Sequence, residues 1–224
     1  MTLDGKAAHY LGRVLRVTPG QSIIVFIGDG RDYLSEVQQV GKKDLQLMIQ
    51  SRLPAVRESS LSVTVVQAIS RGERMDQTLQ KCTELGARAF QPVFSERVEV
   101  RLRGDKLVKR LEHWRNVVIS ACEQSGRALV PTVHPPVELL EWVQGKSATK
   151  RLVLAPGADV PLSRVELPQE VELAVGPEGG FSGAEMAHMV SGGVTAAGLG
   201  PRVLRTETAA PAALAVLQAM KGDF

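Results

Sequence analysis

The amino-acid sequence predicts an α/β fold: an open, mostly parallel sheet covered by helices on both faces, preceded by a small β domain. Three observations carry that expectation. Residues 21–51 run through three stretches rich in β-branched and aromatic residues, joined by glycine-bearing turns. From residue 61 onward, short apolar runs alternate with amphipathic stretches at helical spacing, the pattern of a parallel sheet buried on both sides. Two late apolar runs, 171–175 and 194–199, each end in a glycine-containing loop that feeds a helix. Ligands of open α/β sheets bind outside the carboxyl ends of the strands, so the functional site is expected at those loops.

Residues 1–57 make the small domain. His9-Tyr10-Leu11-Gly12-Arg13-Val14-Leu15-Arg16 reads as a short helix closed by Pro19-Gly20, with Leu11, Val14 and Leu15 inward and Arg13 and Arg16 outward. Gln21 to Ile27, Asp32 to Val40 and Leu45 to Ser51 read as strands, with Gly28-Asp29-Gly30 and Gly41-Lys42-Lys43-Asp44 as turns. Three strands and one helix make a thin core, so an incomplete barrel, or one leaning on its neighbour, is expected. Leu53 to Ser60, short, polar and proline-bearing, is the expected linker.

The larger domain, 58–224, opens with a strand at Leu61 to Ile69. Ser70-Arg71-Gly72-Glu73 has the form of a capping box, and the helix behind it places Met75, Leu79, Cys82 and Leu85 on one side before Gly86 stops it. Ala89 to Phe94 is the next strand. Asp105 then caps a long helix with Leu107, Leu111, Trp114, Val118, Ala121 and Cys122 inward. Strands follow at 129–133, 151–155 and 171–175, with a helix at 137–143 between the first two. Ser182-Gly183-Ala184-Glu185 is a second capping box. After the run 194–199 comes a helix of small residues, 209–220, with Pro211 in its first turn, where a missing N–H costs nothing.

Composition and motifs exclude several classes. No uncharged apolar run approaches the ~20 residues needed to span a bilayer, and the N-terminus has no signal pattern, so no membrane partner is expected. Cys82 and Cys122 fall on apolar helix faces and read as buried thiols; without a disulfide framework, a reducing cytoplasm is the expected location. The four histidines are scattered with no metal-ligand spacing, so no metal is expected. Gly-x-Ser-x-Gly, a Walker-type loop and Gly-x-Gly-x-x-Gly are all absent. Residues 1–127 hold 20 Lys and Arg against 14 Asp and Glu, whereas 128–224 hold 7 against 10. A basic front half fits a polyanion, and equally a face of solvated lysines and arginines.

What remains is the pair of loops. In Gly176-Pro177-Glu178-Gly179-Gly180 the glycines allow positive φ and close backbone approach, and the proline stiffens the turn. A strand-to-helix turn with nothing bound would look the same. The second loop, Leu199-Gly200-Pro201-Arg202-Val203-Leu204-Arg205-Thr206-Glu207-Thr208, weighs against that, because charged groups at such a junction are costly unless paired or used.

Together these loops resemble the signature of the RsmE family, bacterial 16S ribosomal RNA (uracil-N3)-methyltransferases of the SPOUT superfamily. Three earlier stretches agree: Ser70-Arg71-Gly72-Glu73-Arg74-Met75, Phe94-Ser95-Glu96-Arg97, and Ala121-Cys122-Glu123-Gln124-Ser125-Gly126-Arg127. The resemblance implies a PUA-like β-barrel for RNA over 1–57 and, over 58–224, a SPOUT-type open parallel sheet with a C-terminal trefoil knot. It also implies S-adenosylmethionine as cofactor, a homodimer, and 16S rRNA in the small ribosomal subunit as partner. Family members begin with about one more strand before the 9–16 segment, so this chain is expected to start late.

On that resemblance, Leu154, Ala155, Pro156, Gly176, Pro177, Glu178, Gly179, Leu199, Gly200, Val203, Leu204 and Thr206 are expected around the cofactor. Arg205 or Arg202 would stabilise charge on the uracil carbonyls, and Glu207 or Glu178 would take the N3 proton. Arg13, Arg16, Lys42, Lys43, Arg71, Arg74, Arg97 and Arg127 are the expected RNA contacts. Another SPOUT RNA methyltransferase, acting on a ribose 2′-oxygen or a different base, stays open, as does a non-catalytic RNA-binding assembly factor.

Overall fold

A computed structural model describes residues 1–54, 58–100, 102–145 and 147–224. The chain forms two compact units, Met1–Arg57 with Gly126–Val130, and Glu58–Ser125 with Pro131–Phe224.

The first unit is an antiparallel half-barrel of four strands, β1 (Thr2–Asp4), β2 (Ser22–Phe26), β3 (Asp32–Val40) and β4 (Asp44–Leu53), in the order β1-β4-β3-β2. Alternation along the strands turns Ile23, Val25, Val37, Leu45 and Leu47 to one side, where they pack with Ala8 and Val17. The helix starts earlier than expected, as α1 (Gly5–His9), and continues as a π-helical turn over Tyr10–Val14. There the Leu15 N–H reaches back five residues to the Tyr10 carbonyl. This wider winding breaks the 3.6-residue repeat. Leu11 stays against the core, but Val14 and Leu15, expected inside, are 59% and 53% exposed. Residues 126–130 pair here, although 129–130 were expected to begin a strand of the large sheet: Leu129 bridges Gly28 and Asp29, and the Gly30 N–H donates to the Ala128 carbonyl. Of the expected linker, residues 55–57 lie outside the described residues.

The second unit alternates strands and helices: β5 (Ser62–Ala68), α2 (Arg74–Glu84), β6 (Ala89–Phe94), α3 (Gly104–Ser125), β7 (Thr132–Val133), β8 (Val137–Glu138), α4 (Leu139–Gln144), β9 (Lys150–Leu154), β10 (Glu170–Val175), α5 (Gly183–Ser191), β11 (Thr195–Ala197) and α6 (Thr206–Lys221). The sheet order is β11-β9-β10-β5-β6-β7, with β8 also on β6, and every pairing is parallel. The central strands are apolar on both faces, with Val65, Val66, Leu152, Val153, Leu173 and Ala174 fully buried. Because all strands run the same way, β5, β9, β10 and β11 release their following loops at one edge. Cys82 and Cys122 are buried thiols, as expected, and burial pushes the Cys82 thiol far above its ordinary pKa. Among the described residues no helix is long and apolar enough to cross a membrane.

Two helix starts behave differently. At α5 the capping box forms as expected, with the Glu185 N–H on Ser182 Oγ (3.2 Å) and the Ser182 N–H on Glu185 Oε2 (2.8 Å). At α2 it does not: the helix begins at Arg74 with no side-chain cap. Ser70 Oγ turns inward, donating to the Ala68 carbonyl at 3.3 Å, with Thr206 Oγ1 3.4 Å away. The segment expected as helix from 137 starts as strand β8 and becomes helical at Leu139.

Candidate active site

The site grows from the ends of β9, β10 and β11. Past β10 the chain folds back on itself: the Gly180 N–H donates to the Pro177 carbonyl at 2.8 Å. A Cβ on Gly176 would lie 3.1 Å from the Phe181 nitrogen and 3.2 Å from Gly180 Cα, so a side chain there would press the turn outward by a few tenths of an ångström. From outside, Arg97 Nη1 donates to the Gly179 carbonyl (2.6 Å) and the Glu96 N–H to Glu185 Oε1 (2.7 Å), fastening the turn and α5 to the loop after β6. Past β11, Gly200 takes a φ of +83°, which reverses the chain toward α6. Thr206, the first residue of α6, donates its hydroxyl hydrogen to the Gly176 carbonyl at 2.8 Å. That bond joins segments thirty residues apart into one structure.

Between them lies a cavity of about 670 Å³. It is lined by Leu154, Ala155 and Pro156 after β9, by Gly176, Pro177 and Glu178 after β10, and by Leu199, Gly200, Val203, Leu204 and Thr206 after β11. Arg202, Arg205 and Glu207 line it as well. Gly179 alone of the expected cofactor residues does not, its carbonyl facing Arg97. Sequence reasoning missed Arg74, Val175, Gly180, Phe181, Met186 and Ala209 as lining residues. Phe181 and Met186 read as ordinary apolar positions beside a helix start, and Arg74 arrives from the first turn of α2, about a hundred residues away in sequence and beyond any local pattern.

The two carboxylates differ. Glu178 Oε1 accepts from the Arg71 N–H at 3.0 Å and from Arg74 Nη1 at 2.8 Å. Burial pushes its carboxyl up, but its own backbone N–H, the Arg71 N–H and the Arg74 guanidinium together outweigh burial and hold it below the ordinary carboxylate range. A carboxylate so held is a poor proton acceptor, which argues against Glu178 as the base. The Glu207 side chain is only 14% exposed; its Oε2 is buried, makes no hydrogen bond among the described residues, and lies 3.8 Å from Arg74 Nε. Arg202 and Arg205 are exposed and, among the described residues, make no ion pair.

The expected RNA contacts separate into two sets. Arg13, Lys42 and Lys43, with His9, line a second cavity of about 390 Å³ in the half-barrel unit, and Arg16 is exposed with a left-handed φ of +54°. Arg71, Arg74 and Arg97 are instead occupied around the glycine turn, Arg71 also pairing with Glu99. Arg127 is 3% exposed, so its side chain offers no surface to a polyanion, contrary to expectation. Among the described residues no group of three His, Cys, Asp or Glu side chains could hold a metal ion.

Comparison with known proteins places this geometry. The family model for an RNA methyltransferase domain matches residues 57–218, and that for an RNA methyltransferase PUA domain matches residues 3–50. The chain is 33% identical, over its full length and 92% of the relative's, to the ribosomal RNA small subunit methyltransferase E of Buchnera aphidicola from Schizaphis graminum. It is 32% identical to the protein of that name from Synechocystis, covering 98% of this chain and 73% of the relative. Among solved structures, the Neisseria gonorrhoeae ribosomal RNA small subunit methyltransferase E bound to S-adenosyl methionine is 38% identical with a TM-score of 0.93, over all of this chain and 93% of that one. A putative methyltransferase from Legionella pneumophila, in complex with the bound cofactor SAM, is 39% identical with the same TM-score and coverage. With its whole length matched and both units accounted for, the chain belongs to the ribosomal RNA small subunit methyltransferase E family.

Proposed function

We propose that this protein transfers a methyl group from S-adenosylmethionine to N3 of a uridine in the 16S rRNA of the small ribosomal subunit. In this reading it acts as a cytoplasmic homodimer, with the 670 Å³ cavity as donor site and a trefoil-knotted chain path within 58–224. The bond from Thr206 to the Gly176 carbonyl carries the reading, because it makes one chamber of the glycine turn and the arginine-bearing segment. The relatives' names and their bound cofactor support the reaction and its donor.

The residues present fit that donor. Leu154, Pro156, Val175, Phe181, Leu199 and Leu204 supply apolar walls for an adenosyl group, and the close turn at Gly176 brings backbone, rather than side chain, up to the chamber. Bound there, S-adenosylmethionine supplies an electrophilic methyl group on a sulfonium. Uracil N3 carries a proton at neutral pH, so the protein must remove it or stabilise the anion. Glu207, one oxygen of which is buried and makes no hydrogen bond among the described residues, is the proposed acceptor of that proton. Arg205 or Arg202, both lining the same cavity and in no ion pair among the described residues, stabilises negative charge developing on the uracil carbonyl oxygens. In the half-barrel, Arg13, Lys42 and Lys43 are the proposed phosphate contacts, with Arg16 nearby in sequence.

The test treats small subunits from a strain lacking the gene with the protein and labelled S-adenosylmethionine, followed by mass spectrometry of the nucleosides. N3-methyluridine is expected. A ribose-methylated nucleoside would move the target, and cofactor binding with no labelled nucleoside would leave a scaffold.

A further inference from the structure

Gln67 is a fully buried amide near the carboxyl end of β5, paired with Val175 on β10 and Pro92 on β6. Its neighbours Val65, Val66 and Ala68 are equally buried and apolar. Its Nε2 donates to the Ala68 carbonyl at 2.9 Å and to Thr206 Oγ1 at 2.9 Å, while its Oε1 has no hydrogen-bond partner among the described residues. A buried amide left half satisfied is worse for stability than an apolar side chain of the same size, so packing gives no reason for it.

Proton bookkeeping at Thr206 supplies one. A hydroxyl has one hydrogen to give and two lone pairs to receive with. Gln67 fills a lone pair of Thr206 Oγ1 from within the sheet, which leaves the hydroxyl hydrogen aimed away from Gln67, at the Gly176 carbonyl 2.8 Å away. Ser70 Oγ, at 3.4 Å, is the more distant neighbour. The chain Gln67–Thr206–Gly176 therefore runs from the sheet interior through the first residue of α6 into the glycine turn.

We infer that Gln67 is a positioning residue: it orients the Thr206 hydroxyl so that the arginine-bearing segment stays latched to the glycine turn and the cavity keeps the shape S-adenosylmethionine needs. This rests on the donor-site reading above, although the latch itself is a property of the ligand-free protein.

Gln67→Met keeps the volume and removes the donor. Its melting temperature is expected to equal or exceed that of the wild type. Trypsin should cut the ligand-free variant several-fold faster after Arg202 and Arg205, with other sites unchanged. Calorimetry should show S-adenosylmethionine binding weakened about five- to tenfold, the loss of one neutral hydrogen bond. The KM for the donor should rise by a similar factor, with kcat changing less. Thr206→Val should behave alike, and the double variant should be no worse than Thr206→Val alone, since both remove the same latch. Unchanged cleavage and binding in Q67M, additive effects in the double variant, or faster cleavage at every site with a lower melting temperature would each overturn the inference. Should Q67M be recovered unfolded, Gln67→Leu carries the same measurements; loss of fold in both assigns the amide to the fold and overturns it too. Wild-type protein that gives no heat with S-adenosylmethionine defeats the donor-site reading, while the cleavage comparison still decides the latch.

Discussion

Arg205 and Glu207 flank Thr206, whose hydroxyl is held by the glycine turn, so the two charged side chains project from a backbone that is fixed between them. This placement suits groups that must meet a substrate without rebuilding the cavity. Arg205→Ala should lower kcat by about 100-fold, the effect of removing one preorganised donor to a developing oxyanion, while the S-adenosylmethionine Kd stays within about twofold. Near-normal turnover would remove Arg205 from the chemistry. Glu207→Gln keeps the shape and removes the proton acceptor; single-turnover methylation should slow by about 100-fold with the donor still bound, an effect in the range of general base catalysis. Glu178 stands apart, since its carboxylate is spent on Arg74 and the Arg71 N–H. Such tertiary pairings are invisible in a lone sequence, where Arg71, Arg74 and Arg97 were expected as RNA contacts.

At the scale of single elements, β10 is held by more than apolar burial. Its Glu172 accepts from Trp142 Nε1 (2.6 Å), Ser147 Oγ (2.9 Å), Thr149 Oγ1 (2.9 Å) and Arg151 Nε (3.1 Å), and the Arg151 guanidinium lies 4.9 Å over the Trp142 ring. Burial raises the Glu172 carboxyl, but the hydrogen bonds from Ser147, Trp142 and Thr149 and the Arg151 charge overcome it and hold its pKa below the ordinary 4.5. A depressed carboxylate stabilises the fold fully above its unfolded value, and that contribution is lost as pH falls through the folded value. Glu172→Gln should therefore cost about 2 kcal/mol in urea unfolding at pH 7, and the gap from wild type should narrow as pH drops below 4.5. At α5, Ser182→Ala removes the cap and should cost about 1 kcal/mol by the same measurement. The Ser182 box was legible in sequence because both partners lie within four residues of each other. The same pattern at Ser70 misled because that side chain turns inward, to the Ala68 carbonyl, with Thr206 from 136 residues away beside it. Strands β3 and β6 were legible to the residue from local composition, whereas the π-winding at Tyr10–Val14, which turned Val14 and Leu15 outward, left no mark in the apolar pattern.

For the whole molecule, charge and topology divide the work. The half-barrel unit carries Arg13, Lys42 and Lys43 around its cavity, while the cavity of the larger unit lies among the carboxyl ends of β9, β10 and β11. Replacing Lys42 and Lys43 by alanine should reduce the log–log salt slope of rRNA binding by about 1.5, given a slope near 0.7 to 0.9 per phosphate neutralised, and leave calorimetric binding of S-adenosylmethionine unchanged. An unaltered slope would place the footprint elsewhere. The location of the cavity was legible because parallel topology follows from strand–helix alternation and puts every strand's outlet on one edge. The arrival of Arg74 there and the diversion of 126–130 to the other unit were not, since both depend on which distant surfaces meet.

The three walls of the cavity appear in the chain at residues 154–156, 175–181 and 199–207, and α6 behind the last of them fills the space beside β5 and β10. During synthesis, then, a polypeptide that has emerged only as far as α5 owns two walls and no closure. If the cavity is the donor site proposed above, donor capture is a late acquisition of the nascent protein, because the last wall and the Thr206 bond to Gly176 are the last to be made.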